Sequence, residues 1–352
     1  MKILVLGGTG AMGVHLVNML AERGDEVFVT SRSHRLSSGN ISYIQGNAHN
    51  LDFLKDVLHW QKWDAVVDFM VYSTAEFAER VNVLLSSTKQ YIFLSSARVF
   101  ADSKSPIVED SLRLLDTVDD EAYLSTDEYA LAKARQENML QNAERNNWTI
   151  VRPYITYDDY RLQLGVMEKE MWLYRAMRGR SIVVAKELLS HYTTLTYGRD
   201  VAEYMVGLVG RDAALAQTFN ITDARAVKWS DVLEVYASVL SEIMGRQVKV
   251  RVIDNSLYAK YGARYQVLYD RYYDRVFDNS KIRGISPKQS FVAYNEGLKK
   301  CLQHFVKQPR FGAIHWAMEG RKDRIAGEFT PLCEIKGVKN KVKYLASRFL
   351  NL

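Results

Sequence analysis

Residues 1–13 read Met1-Lys2-Ile3-Leu4-Val5-Leu6-Gly7-Gly8-Thr9-Gly10-Ala11-Met12-Gly13, and an apolar-periodic run continues from there to Arg23. A β-rich segment of strand length breaks at glycines and re-forms as an amphipathic helix, with Val14, Val17 and Leu20 on one side and Gly24 placed as its C-cap. Strand, glycine turn and helix in that order build a cradle for a dinucleotide pyrophosphate. Gly7 lets the chain turn sharply after the strand, Gly10 lets the backbone approach phosphate oxygens, and Gly13 lets helix and strand pack closely. The N–H groups and positive dipole end of the helix then hold the anion, which assigns Gly7, Thr9, Gly10, Ala11, Met12 and Gly13 to the cofactor.

The rest of the first half repeats the alternation. Glu26–Thr30, Ile41–Ile44, Asp64–Phe69, Tyr91–Ser95 and Thr149–Val151 read as short apolar strands, with helical stretches near 51–59 and 74–87 between some of them. Such βαβ units specify an α/β protein with a doubly wound parallel sheet, whose site lies beyond the carboxyl ends of the strands. Of 352 residues, 47% are hydrophobic, which is ample for burial. Every apolar run is strand-length, so no membrane span is expected. No signal segment precedes the first strand, so a cytoplasmic protein is expected. Cys301 and Cys333 are too few for a disulfide framework and lack metal-ligand spacing, so no metal is expected. The net charge of +6 is spread along the chain, which suits anionic small molecules rather than nucleic acid.

The end of the second strand selects the dinucleotide. An acidic residue there would accept from the adenosine ribose and repel a 2′-phosphate, but the sequence is Thr30-Ser31-Arg32-Ser33. Arg32 can pair with a 2′-phosphate and Ser31 can donate to it, so NADP(H) is favoured, with NAD(H) as the other option. Asn47, after the third strand, can both accept and donate near the adenine.

The spacing of Gly7, Gly10 and Gly13 resembles that of the short-chain dehydrogenase/reductase superfamily. Thr9–Gly13 looks like its extended, sugar-nucleotide-modifying branch, the NAD-dependent epimerase/dehydratase family. Two further motifs extend the resemblance. Leu94-Ser95-Ser96-Ala97-Arg98-Val99-Phe100 resembles the family's Ser-x-x-Val-Tyr segment, which makes Ser96 the catalytic hydroxyl. Tyr129-Ala130-Leu131-Ala132-Lys133 lies in a helix-forming run with Ser125 or Thr126 available as N-cap. Tyr129 and Lys133 are one turn apart on one face, where an ammonium stabilises the phenolate and brings a phenol of ordinary pKa near 10 towards the working range. The resemblance implies that Lys133 also bonds the nicotinamide ribose and that Ser96 polarises a substrate carbonyl or alcohol.

Arg152-Pro153 resembles the family's Arg-Pro at the start of the substrate half, although Tyr154-Ile155-Thr156 departs from its Tyr-Gly-Pro-like turn. Tyr154, Tyr157 and Arg161, and Arg271 and Arg275 within and beyond a tyrosine-rich run, suit a sugar, a base or phosphates, or else they pack the lobe. The boundaries expected are a dinucleotide domain at 1–155 rejoined by 194–225, a substrate lobe at 156–193 and 226–306, and a C-terminal extension at 307–352. That extension shows no sustained basic amphipathic face, so packing on the lobe or an oligomer contact is expected of it. The resemblance implies hydride transfer at a carbinol or keto carbon of a sugar nucleotide. Reduction with NADP(H) is favoured over epimerisation on retained NAD, a non-catalytic dinucleotide-binding or RNA-associated protein is the rival, and a homodimer is expected. Ala97-Arg98, where 4,6-dehydratases carry an acidic pair, argues against dehydration.

Overall fold

A computed structural model describes residues 1–286 and 290–350. Residues 287–289, inside the expected lobe segment 226–306, and residues 351–352 of the expected extension lie outside the described residues. The chain divides into two compact units. The first comprises Met1–Asp158, Thr194–Ala226 and Tyr273–Tyr294; the second comprises Asp159–Thr193, Val227–Tyr272 and Asn295–Leu352.

The first unit is built on β1 (Lys2–Leu6), α1 (Gly13–Glu22), β2 (Glu26–Ser31), β3 (Ile41–Gln45), α2 (Leu51–His59), β4 (Trp63–Asp68), α3 (Thr74–Ser86), β5 (Thr88–Leu94) and β6 (Trp148–Pro153). A tyrosine helix, Tyr129–Gln141, precedes β6, and a helix Gly198–Val206 and a strand Gln217–Ile221 follow it. The seven strands form one parallel sheet in the order Gln217–Ile221, β6, β5, β4, β1, β2, β3. Order reverses between β1 and β4, so their carboxyl ends open a crevice there.

Apolar side chains fill both faces because strands buried on two sides carry continuous hydrophobic runs. Leu16, Val17 and Leu20 of α1 and Val201, Tyr204 and Met205 cover one face. Leu54, Val57 and Leu58 of α2, Phe77, Val81 and Leu84 of α3 and Leu140 of the tyrosine helix cover the other. Val14 is exposed rather than on the buried stripe of α1, which centres on Leu16, Val17 and Leu20.

The tyrosine helix begins one turn later than its composition suggests. Thr126 Oγ1 donates to Tyr123 O at 2.7 Å and closes a preceding short helix, while Asp127 is taken by the Thr74 N–H and hydroxyl. The cap falls to Glu128, whose Oε2 accepts from the Ala130 N–H at 2.8 Å.

Farther along the same helix, buried Glu137 ties three elements together. Arg152 of β6 donates to both of its oxygens at 2.8 and 2.7 Å, Ser95 at the end of β5 donates at 2.5 Å, and Arg113 NH1 reaches Oε2 at 3.3 Å. Bidentate geometry with extra donors is what lets a buried ion pair offset its desolvation.

In the second unit, Trp172 in the helix Lys169–Met177 stacks on Tyr236 in the helix Trp229–Met244 with ring centroids 4.4 Å apart. Ile182–Ala185 pairs in parallel with Val250–Ile253. Residues 307–350 are integral to this unit rather than appended to it. Arg175, fully buried, bonds Glu319 at 2.9 Å and Asp323 at 2.8 Å in the helix Trp316–Ala326, and Glu328 at 3.1 Å beyond it. Segment 273–294, expected in the substrate lobe, belongs to the first unit. The Ile107–Phe277 bridge and the bond from Asn279 Nδ2 to Thr222 O hold it there.

Removing one partner of a buried pair leaves an uncompensated charge. Glu137→Ala should therefore cost about 3–5 kcal/mol in urea denaturation. Lys89→Ala, which breaks the exposed pair with Asp64 at 2.8 Å, should cost far less. Equal losses would show that Glu137 is not the clamp described.

Candidate dinucleotide and catalytic site

The glycine turn is sterically determined. Gly7 adopts φ +70°, and a β-carbon there would sit 2.9 Å from Met70 Sδ. At Gly13 a β-carbon would fall 2.7 Å from the Gly8 backbone, so the start of α1 can lie against the turn only without a side chain. A β-carbon on Gly10 would meet nothing within 4 Å, because that position faces open space. Met12 caps α1 without a side-chain hydrogen bond, and no acidic residue stands in its first turn. The positive end of the helix is left for an external anion.

Beside the turn lies a cleft of about 370 Å³ lined by Gly7, Thr9, Gly10, Ser31, Arg32 and Asn47, together with Thr30, residues 46, 48 and 49, and Phe69–Val71. Ala11 and Met12 continue the turn into α1, and the Ala11 carbonyl packs under Gly198. Arg32 is exposed at the rim, Ser31 Oγ donates to Ser33 O at 2.8 Å, and Asn47 Oδ1 accepts from the His49 N–H at 3.2 Å. None of the lining residues is Asp or Glu.

Near the carboxyl end of β5 stand Ser96 and Lys133, and Tyr129 lies one turn before Lys133 on its helix. Ser96 is buried at the end of β5, where its Oγ accepts from the Arg98 N–H at 3.3 Å and caps the turn Ala97–Val99. Its neighbour Ser95 points to Glu137 instead. Arg98 also lies over the Tyr129 ring, 5.3 Å from its centroid, and is held by Glu128 Oε1 at 2.6 Å. One arginine therefore touches both candidate hydroxyl-bearing residues, through its backbone and its side chain.

Lys133 is 1% exposed, packs 4.3 Å from the Phe93 ring centroid, and its Nζ has no hydrogen-bond partner among the described residues. Burial pulls its pKa down to about 8, opposed by the charges of Asp68 and Glu137. Asp68, fully buried at the end of β4, has its own pKa raised by burial, against bonds from the Met70 N–H at 2.8 Å and the Tyr91 hydroxyl at 2.9 Å. An orphaned ammonium in a dry site is the group a ribose diol would satisfy, so the residues present fit a dinucleotide. Asp68 escaped the sequence reading, and its only signal was a charge closing the apolar strand Ala65-Val66-Val67.

The residues expected at the substrate are divided between the two units. Tyr154 is buried against Phe277 at 5.3 Å, and Tyr157 is stacked on Tyr197 at 5.4 Å. Arg275 is buried and clamps the chain after Ser96 by donating to Phe100 O and Ala101 O, each at 3.0 Å. In the second unit Arg271 pairs with Asp270 and donates to Gly165 O at 3.0 Å, while Arg161 is half-buried. The other four side chains are buried.

Residues 3–222 match the family described as NAD dependent epimerase/dehydratase family. The chain belongs to that family. It is 26% identical over 253 residues to the chloroplast stem-loop binding protein of 41 kDa b from Arabidopsis thaliana, covering 67% of this chain and 62% of that one. With the UDP-glucose 4-epimerase of Lactobacillus helveticus the identity is 29% over 133 residues, covering 32% and 40%. The chain thus spans less than two thirds of the length of either relative. Among solved structures, the UDP-glucuronic acid 4-epimerase of Bacillus cereus, in complex with UDP-glucuronic acid and NAD, superposes with a TM-score of 0.64 at 16% identity, covering 87% of this chain and 99% of that one. At that identity the likeness speaks to the fold.

The lowered pKa of Lys133 has a definite sign. Below about 8 the amine is charged whether folded or not, so the cost of burying it is fully present; that cost is relieved as pH rises from about 8 towards 10.5. Asp68→Asn removes one of the two charges that hold the proton on. Dinucleotide affinity followed by fluorescence across pH should then lose its Lys133-dependent step at a pH below about 8, and an unmoved midpoint would show that Asp68 does not act on Lys133.

Proposed function

We propose that the protein is an NADP(H)-dependent oxidoreductase acting at a carbinol or keto carbon of a sugar nucleotide, more as a reductase that exchanges cofactor than as an epimerase that retains it. The observation that carries the cofactor choice is the carboxylate-free cleft with Arg32 at its rim. A 2′-phosphate meets a guanidinium there and no opposing charge. The NAD in the superposed epimerase belongs to that protein and makes NAD(H) the competing choice.

In this reading Gly7–Gly13 and the start of α1 hold the pyrophosphate, Asn47 the adenine, Ser31 and Arg32 the 2′-phosphate, and Lys133 the nicotinamide ribose. When bound, the nicotinamide supplies or accepts the hydride. The rest is done by the chain. Tyr129 gives a proton to the substrate oxygen during reduction, or takes it during oxidation, and Ser96 Oγ donates to that same oxygen. Lys133, one turn along the helix, stabilises the phenolate that remains. The UDP-glucuronic acid bound by the superposed epimerase and the likeness to a UDP-glucose 4-epimerase support a sugar nucleotide as the class of substrate.

A second reading follows from the stem-loop binding relative, which would make the fold an RNA-binding platform. The presence of Ser96, Tyr129 and Lys133 together favours catalysis, and a gel-shift titration with an RNA stem-loop separates the two.

Tyr129→Phe should abolish turnover of a keto-sugar nucleotide while leaving dinucleotide affinity within about twofold, since the phenol oxygen moves a proton and the ring keeps its packing. Retained turnover would remove Tyr129 from the mechanism. Arg32→Ala should weaken NADPH by about tenfold, roughly 1.4 kcal/mol, and leave NADH nearly unchanged. Equal loss of both, or stoichiometric NAD released from the denatured protein and identified by mass spectrometry, would replace the reductase with a cofactor-retaining epimerase.

A further inference from the structure

The C-terminal helix Val338–Phe349 docks on the second unit by the side that carries Tyr344 and Ser347, both buried. It packs there against the helix Trp316–Ala326, where the Tyr344 carbonyl leaves no space for a β-carbon on Gly320. At about 3.6 residues per turn, the opposite side carries Val338, Val342 and Phe349. They follow the i, i+4, i+11 spacing of a buried stripe, yet Val338 is 78%, Val342 59% and Phe349 63% exposed; Leu345, between them, is half-buried and packs on the cluster that contains Tyr344. Leu350 and Phe329 extend the patch, Phe329 lying 6.4 Å from the Phe349 ring.

Charge brackets this stripe. Lys339 and Lys343 run exposed along one flank, and Lys341 stands half-exposed on the other. From Lys336 to Leu350 there are five basic residues and no Asp or Glu. The expectation of no basic amphipathic face in 307–352 is therefore corrected: the helix register separates apolar from basic residues that look intermixed in sequence.

We propose that this face is a docking surface for an anionic lipid bilayer, on which the helix lies in the interface plane with its apolar ridge inserted among acyl chains and its lysines on the headgroups. Three observations select a bilayer. The stripe is a convex ridge on a helix already anchored from behind, and lipid accommodates a ridge without a complementary groove. Long lysine side chains flanking it can reach out to phosphates while their stems cover apolar surface. A second copy of the chain is disfavoured, because an isologous contact would bring these same lysines together with no carboxylate in the segment to meet them. No helix of the described residues is long and apolar enough to cross a membrane, so the association is peripheral.

The test is independent of the dinucleotide site. Full-length protein is sedimented with vesicles of phosphatidylcholine alone and of equal parts phosphatidylcholine and phosphatidylserine. Binding is expected only with phosphatidylserine, and high salt should weaken it. The double variant Val342→Asp/Phe349→Asp and, separately, Lys339→Glu/Lys343→Glu should each lower binding at least about tenfold. Because all four side chains are exposed, the circular dichroism and melting temperature of both variants should be unchanged, which reports that they are folded. Equal binding to both vesicle types, or undiminished binding by either variant, overturns the proposal. It is overturned equally if vesicles are not bound and the protein is instead a dimer that Val342→Asp/Phe349→Asp dissociates, or is retained on immobilised polyglutamate.

Discussion

One buried carboxylate joins four segments of the unit that carries the glycine turn. Glu137 receives Ser95 from β5, Arg152 from β6 and Arg113 from the intervening chain, while riding on the helix that carries Tyr129 and Lys133. Residues 129, 133 and 137 are spaced by four, so Tyr129, Lys133 and the clamp share one stripe of one helix. Wherever the clamp holds that helix, the candidate phenol and ammonium are held too. The arrangement supports preorganisation of the kind catalysis requires, with the cost of two desolvated ions offset by a nearly complete set of hydrogen bonds.

Close by, the same low dielectric is used in the opposite way. Lys133 is left without a partner, with Asp68 and Glu137 exerting charge on it through space. A satisfied network and an unsatisfied amine within one face follow a general pattern: strain and unmet polar groups collect where a ligand is to complete them. Ile155, the β-branched residue that replaces glycine just after Arg152-Pro153, also takes a positive φ of 28°. An isoleucine there is under backbone strain.

Much of this was legible in the sequence because it rests on local rules. The glycine turn, the strand–helix alternation and the one-turn spacing of Tyr129 and Lys133 are all short-range, and the alternation implies a doubly wound parallel sheet. What escaped depends on the fold as a whole. Glu128 caps the tyrosine helix because Thr126 and Asp127 are engaged by other elements. Arg275 reads in sequence equally as a ligand contact or a packing residue, and only the fold shows that it donates to the Phe100 and Ala101 carbonyls. Asp68 looks like any strand-end acid until the burial of Lys133 beside it is known. The ridge of Val338, Val342 and Phe349 has the spacing of a core face, and sequence cannot tell which of two opposite faces is covered.

The two serines that end β5 are adjacent and therefore point to opposite sides of the strand, Ser95 inward to Glu137 and Ser96 to the Arg98 turn. A single-residue deletion in β5 would bring Ser96 to the place of Ser95 and Ala97 to the place of Ser96, and would pull the Arg98 turn one residue towards the sheet. Glu137 would keep a serine hydroxyl, but no hydroxyl would stand beside that turn. Sequence length between Tyr91 and Arg98 is therefore as strongly constrained as the identity of any residue within it, and relatives that vary there are the ones whose chemistry should be expected to differ.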